Sequence, residues 1–333
     1  MFAPQKAWLT HDYGLPDPDE RRPPDAGYNP PFGATVFFHI PQDYDGKTPA
    51  TLEFSDAHGK VIRSIPLHLA TEKEKKDKEK AEGAAYGSEV QTSEHLENAA
   101  EEAAESEKST DQKIRDKEAK LAAIEPGMNR LQWDLRYPYA TEVTGYHAPI
   151  AAGGLEDSVE GPVVVPGTYS VVLDYGGQKT QQSLTVALDP RLHATQQDLE
   201  ARLALDLKIH ADLDALNKDI NQALAARDKL QQAVSTQTVT DAQATGALDA
   251  LNRDIDSAAS MAIKSSEGDL LHGTRLRDHL AYLAAEIDLS YDRPTASQEA
   301  VFRELDQQVN ESKPKLEADI SQAEGVAGVG AVR

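Results

Sequence analysis

Trp133, Tyr137, Tyr139 and Tyr146 fall close together in this sequence, and aromatic side chains so grouped are the material of a sugar-stacking platform. Tyr137, Tyr139 and Tyr146 are therefore the candidate ligand-facing aromatics. Trp133 has a competing role. It alternates in phase with Leu131 and Leu135, which puts it on the apolar face of a strand, where a large indole fills a core. Carboxylates nominate nothing by themselves, because the chain has 56 Asp and Glu residues. A glycosidase needs two carboxyls held about 5–10 Å apart across a cleft, and no spacing here selects two. Asp134, inside QWDLR, is the most distinctive, and a turn cap or a partner for Arg136 explains it. Ten histidines are scattered. His272 and His279 are about two helical turns apart, which reads as a solvent-facing pair, since a metal site would need carboxylates the sequence does not supply. The glycine-rich end GVAGVGAVR follows a helical pattern and precedes none, so it is no phosphate loop. GxSxG, the P-loop lysine and HExxH are all missing. No cysteine is present, which excludes disulfides, thiolate metal sites and a cysteine nucleophile. The reading nominates no catalytic, metal-binding or cofactor-binding residue, and no cofactor is expected.

A net charge of −22 repels DNA, RNA and anionic membranes, so nucleic acid is not an expected partner. No run approaches the 18 or so apolar residues of a membrane span. The opening MFAPQKAWLTHDYG lacks the basic and apolar regions of a signal peptide. Either the chain is cytosolic or Met1 is an internal start.

The elements that must carry these residues come in two periods. Residues 1–31 are rich in Pro and read as an extended linker. From 32 to 188 the period is two. In ATVFFHI, Ala34, Val36, Phe38 and Ile40 share one face. TLEFSD and KVIRSIPL flank Ala57-His58-Gly59, and TYSVVLDY and QKTQQSLTVAL flank Gly176-Gly177, a two-residue hairpin signal. Within this region 71–122 is a low-complexity Ala/Glu/Lys insertion without an apolar stripe, expected to be solvated. From 189 to 324 the period is helical: Leu199 to Leu224, Ala247 to Ala262, Leu276 to Ile287, and Val301 to Ile320. Thr195 and Thr295 are the expected N-caps of the first and last helices, and Pro314 should kink the last. Residues 325–333 are expected to be a disordered tail. The fold class expected is an antiparallel Ig-like β-sandwich followed by an antiparallel helical bundle.

Specific runs deepen that expectation. Asp56, Gly59, Val61, Ile62 and Arg63, then Gly127, Asn129, Trp133 and Asp134, then Pro166, Gly167 and Tyr169 form a pattern that resembles the Ig-like flagellar hook-capping domain. The wider order of MFAPQKAW, NPPFGATVFFHI, GMNRLQWDLRYP, GPVVVPGTYSVVL and LDPR followed by helices resembles the C-terminal region of bacterial proteins with sortilin-like, BNR-repeat β-propellers, often labelled glycosyl hydrolases. The resemblance covers the chain outside 71–122. It implies an N-terminal β-propeller of the same full-length protein as partner and a secreted or periplasmic location. It also implies a non-catalytic accessory or structural role for this part. The S-x-D-x-G-x-T-W Asp box does not occur here, so no catalytic residue of the family carries over. The alternatives it leaves are a hydrolase whose active site lies in the propeller, and a carbohydrate-binding module using the three tyrosines.

Overall fold

Alternation in ATVFFHI makes a strand with two unlike faces. The computed structural model describes residues 1–10, 33–76, 112, 115, 118, 119, 122–147, 159–262 and 273–330. In it Ala34, Val36, Phe38 and Ile40 are 1% exposed or less, while Phe37 between them is 46% exposed. The described strands are β1 Ala7–Leu9, β2 Ala34–Ile40, β3 Ala50–Ser55, β4 Val61–Leu69, β5 Ala123–Ile124, β6 Gly127–Trp133, β7 Gly167–Tyr175 and β8 Gln178–Leu188. The described long helices are α1 Gln196–Ser235, α2 Asp241–Ala258, α3 Leu276–Asp288 and α4 Ala296–Gly330.

Six strands form one curled sheet in the order β1-β8-β7-β3-β4-β5. Its middle is antiparallel, but β1 runs parallel to β8 and β5 parallel to β4. Strands β2 and β6 pair with each other as a separate two-stranded sheet. The β7–β8 hairpin turns at Gly176 and Gly177, both with positive φ (57° and 86°), the backbone that a two-residue hairpin needs. Among the described residues that edge of β4 is paired only at His68 and Leu69, by β5, so Pro66 costs no ladder bond there.

The core of this unit gathers around Trp133, which is fully buried. Its ring stacks on Phe54 at 4.4 Å between centroids and meets Tyr169 edge-on at 5.9 Å. Its Nε1 donates to the Arg136 carbonyl at 2.9 Å, so the one polar atom of the indole is satisfied. Gly33, at φ 104°, lies against the same strand end, and a Cβ there would come within 2.2 Å of the Trp133 carbonyl oxygen. Only glycine fits.

The expected antiparallel Ig-like β-sandwich followed by an antiparallel helical bundle is not what forms. The main sheet is mixed, with parallel pairs at both edges. The described strands precede the long helices along the chain, but the two units are not consecutive in sequence. Residues 139–147 and 159–162, between β6 and β7, belong to the helical unit and not to the sheet unit. Period-two reading explains the error. It says which face of a strand is buried, not which strand lies beside it or in which direction. The edge strands have three and two residues, too short to show a period.

Other boundaries differ in detail. Ala7–Leu9 is a strand inside the stretch expected as linker, while 11–32 lies outside the described residues. Of the expected insertion 71–122, residues 72–76 are helical, and Ala122 is buried while Glu118 pairs with the buried Arg63 at 2.6 Å. The remainder of the insertion lies mostly outside the described residues. Helix α4 runs through Pro314 and on to Gly330, through most of the stretch expected as a tail.

In the helical unit, Ile209, Leu213, Leu216 and Ile220 of α1 share one core with Leu251 and Ile255 of α2, Leu280 of α3 and Leu316 of α4. Thr195 caps α1, its Oγ1 accepting from the Asp198 N–H at 3.2 Å. The Thr295–Gln298 capping box opens α4, with N–H to side-chain bonds of 2.9 and 3.2 Å in the two directions.

Candidate functional site

The three candidate tyrosines differ in their exposure. Tyr146 is fully buried in the core of the helical unit, and Tyr139 is half-buried against that core. Tyr137, half-buried, belongs to the sheet unit. Burial raises its hydroxyl pKa, with the Asp56 charge adding to the effect. Asp134 accepts the Arg136 N–H at 3.1 Å, a turn cap as its position suggests. His279 meets Thr274 at 2.9 Å, while His272 lies outside the described residues.

Tyr146 anchors an extended strap, 139–147, that crosses the helical unit. Helix α1 offers Asp214, Asn217 and Asn221, three and four residues apart and therefore on one helix face. Asp214 Oδ1 accepts from the Thr141 N–H at 2.8 Å. Asn217 donates to the Thr141 carbonyl at 2.6 Å. Asn221 donates to the Glu142 carbonyl at 2.7 Å and accepts from the Thr144 N–H at 2.9 Å. The helix thus reads the strap through its backbone. At the far end the Tyr146 hydroxyl donates to Asp278 Oδ1, and Asp278 Oδ2 accepts the Arg275 N–H at 2.7 Å at the start of α3. Arg277, with no exposed surface, sits 4.1 Å from the Tyr146 ring centroid. Its guanidinium is 3.6 Å from Asp278 and 4.0 Å from Glu142. Such a buried cation is tolerable only among these partners. These contacts tie the strap to α3.

Two surfaces of the sheet unit are addressed to solvent. The first is the outer face of β2–β6, where Phe37 and Met128 are 46% and 58% exposed. The register pairs Phe37 with Arg130 and His39 with Met128, so the two apolar side chains are diagonal neighbours on one face, about 7–8 Å apart. The main chain of Phe2, 53% exposed, lies beside β2, its N–H donating to the Phe37 carbonyl at 2.9 Å. The second is a groove of about 700 Å³ over β3, β7 and β8, lined by Ser55, Asp56, Thr168, Ser170, Gln181 and Ser183 among others. A smaller cavity, about 260 Å³, lies between β4 and the residues around Glu118 and includes Arg63 and His68. Among the described residues no group of three His, Asp or Glu is placed to hold a metal ion, and no helix is long and apolar enough to cross a membrane.

Sequence reasoning missed both the strap lock and the serine-lined groove. Asn217 and Asn221 carry a signal in retrospect: two amides at helical spacing, one buried and one half-buried, call for backbone partners. Nothing local to Arg277 announces that it is buried. No family model, curated protein or solved structure matches this chain.

Proposed function

We propose that this chain is a non-catalytic accessory module, the C-terminal part of a sortilin-like BNR-propeller protein, and that it supports the propeller by docking through the outer face of β2–β6. The observation that carries the reading is the pair of exposed apolar side chains, Phe37 and Met128, on one sheet face. Clustered exposed apolar side chains on a sheet face mark a protein contact. They stand out against a chain of net charge −22, whose self-repulsion disfavours a second copy as the occupant. The polar chemistry of the helical unit supports a structural role too, because the Tyr146–Asp278–Arg277 cluster ties the strap to α3. In the rival reading the chain belongs to a glycosyl hydrolase whose active site lies in the propeller, and this part still serves as support.

The test is binding in trans. The coding sequence upstream of Met1 is read in frame, any β-propeller it encodes is purified, and its affinity for this chain is measured by calorimetry. Binding should be detectable in the micromolar range. Phe37→Glu with Met128→Glu should weaken it at least tenfold without altering the circular dichroism spectrum. Absence of an in-frame propeller, or binding untouched by the double substitution, would overturn the proposal.

A further inference from the structure

We infer that the groove over β3, β7 and β8 is a binding site for a neutral polyhydroxyl chain, a stretch of uncharged polysaccharide. This is a different face of the sheet unit from the apolar patch, and it stands whether or not that patch docks a propeller. The register brings Ser55 opposite Ser170 and Ser170 opposite Ser183. Three hydroxyls therefore line up across three adjacent strands, about 4.8 Å from strand to strand. Thr168 faces Thr185 in the next row, and Val172 faces Gln181 in the row on the other side. A hydroxyl both donates and accepts, so such a row meets the hydroxyls of a sugar whichever way they point. Gln181 Nε2 donates to Ser170 Oγ at 2.6 Å, which fixes the amide and leaves its carbonyl oxygen as an acceptor.

Charge narrows the ligand further. Asp56 is the single charged side chain of the lining, which includes neither Lys nor Arg. Its Oδ1 is already taken by the His58 and Lys60 N–H groups, both at 2.9 Å. Nothing in the groove would compensate a phosphate, sulfate or uronate, and the acidic chain as a whole repels them. An apolar peptide would find little beyond Val172. Beyond the lining, the parallel register sets Trp8 beside Ala187, on the sheet face that carries Ser183 and Thr185. Trp8 is 43% exposed, with the Lys6 ammonium 5.0 Å from its ring centroid, and the indole surface left open offers the C–H face of a sugar ring an apolar partner. Neutral polar groups that fix orientation beside one aromatic surface are the composition of a ligand site.

The test uses the full chain in native gels containing soluble dextran, xylan, laminarin or hydroxyethylcellulose, with carboxymethylcellulose as the anionic comparison. Retardation is expected in at least one neutral gel and not in the anionic one. Ser170→Val with Gln181→Leu should weaken it at least fivefold, and so should the fully exposed single change Gln181→Lys, which guards against misfolding of the double variant. The matching oligosaccharide should shift the Trp8 emission, a change absent from Trp8→Phe. No retardation in any neutral gel, equal retardation in carboxymethylcellulose, or retardation unaltered in both variants would overturn the inference.

Discussion

Trp133 shows how one residue serves two kinds of force, and substitution separates them. The indole fills the space beside Phe54 and Tyr169, and its N–H satisfies the Arg136 carbonyl. Trp133→Ala removes both and should cost roughly 3–5 kcal/mol, as large aromatic truncations in cores do. Trp133→Phe keeps an aromatic partner for Phe54 and removes the donor, so its cost should fall to about 1–3 kcal/mol from the smaller ring and the orphaned carbonyl. Urea unfolding of the three proteins measures both. In a Trp8→Phe background the emission of Trp133 should lie to the blue, moving red only on unfolding. Equal stabilities, or a red-shifted native emission, would remove Trp133 from the core.

Elements divide sharply into those legible in the sequence and those not. The inward faces of β2 and β6, the Gly176-Gly177 turn and the caps Thr195 and Thr295 follow from local pattern, and they form as read. Two of the three serines in the row were in reach: a two-residue hairpin loop fixes Tyr175 against Gln178 and so, five residues on, Ser170 against Ser183. Ser55 was not, because its place beside Ser170 depends on β3 meeting β7 across more than a hundred residues. The parallel edges and the strap were hidden for the same reason. Ala140, Val143 and Tyr146 are buried, yet three apolar residues in an irregular stretch carry no period to read. The strap has a consequence for dissection. A fragment of 192–330 retains the four helices but loses Ala140, Val143, Tyr146 and Val159 from their core. It should melt well below the helical unit of the full chain, and a synthetic 139–162 peptide added in excess should raise its melting temperature. Asn221→Ala in the full chain removes its bonds to the Glu142 carbonyl and the Thr144 N–H together, for a loss of about 0.5–1.5 kcal/mol, since water can reach both groups. A fragment indifferent to the peptide would show that the strap only lies on the helices.

At the scale of the whole molecule the excess of acid governs how stability responds to pH. Helix α4 presents carboxylates to carboxylates. Asp306 faces Asp212 of α1, and burial with that neighbour raises the Asp212 pKa to about 6. Asp319 faces Asp254 of α2, and burial with that neighbour raises it too, against the opposing charge of Arg253. Asp219 is raised by burial and Glu317, with Lys313 opposing. A carboxyl whose folded pKa is raised favours the protonated, folded state. Its contribution is complete below the unfolded value of 3.8 and is lost as the pH climbs through about 6. Asp189 works in the opposite direction. The Arg191 guanidinium and N–H hold it down to about 2, so its contribution survives until the pH falls below 3.8. Between these limits both contributions coexist, and falling pH also relieves the repulsion of a net −22 chain. Melting temperature should therefore rise as the pH is lowered from 7.5 to 5. For Asp212 alone the gain is on the order of 1 kcal/mol once solvent screening is allowed for, or about 2–4 °C. Asp212→Asn should stabilise the chain at pH 7.5 by a similar amount and should remove that share of the pH dependence. Scanning calorimetry from pH 4 to 8 at fixed ionic strength checks this. A wild-type profile that falls on acidification through 6, or an Asp212→Asn profile parallel to it, would show that the Asp212–Asp306 contact does not set the response.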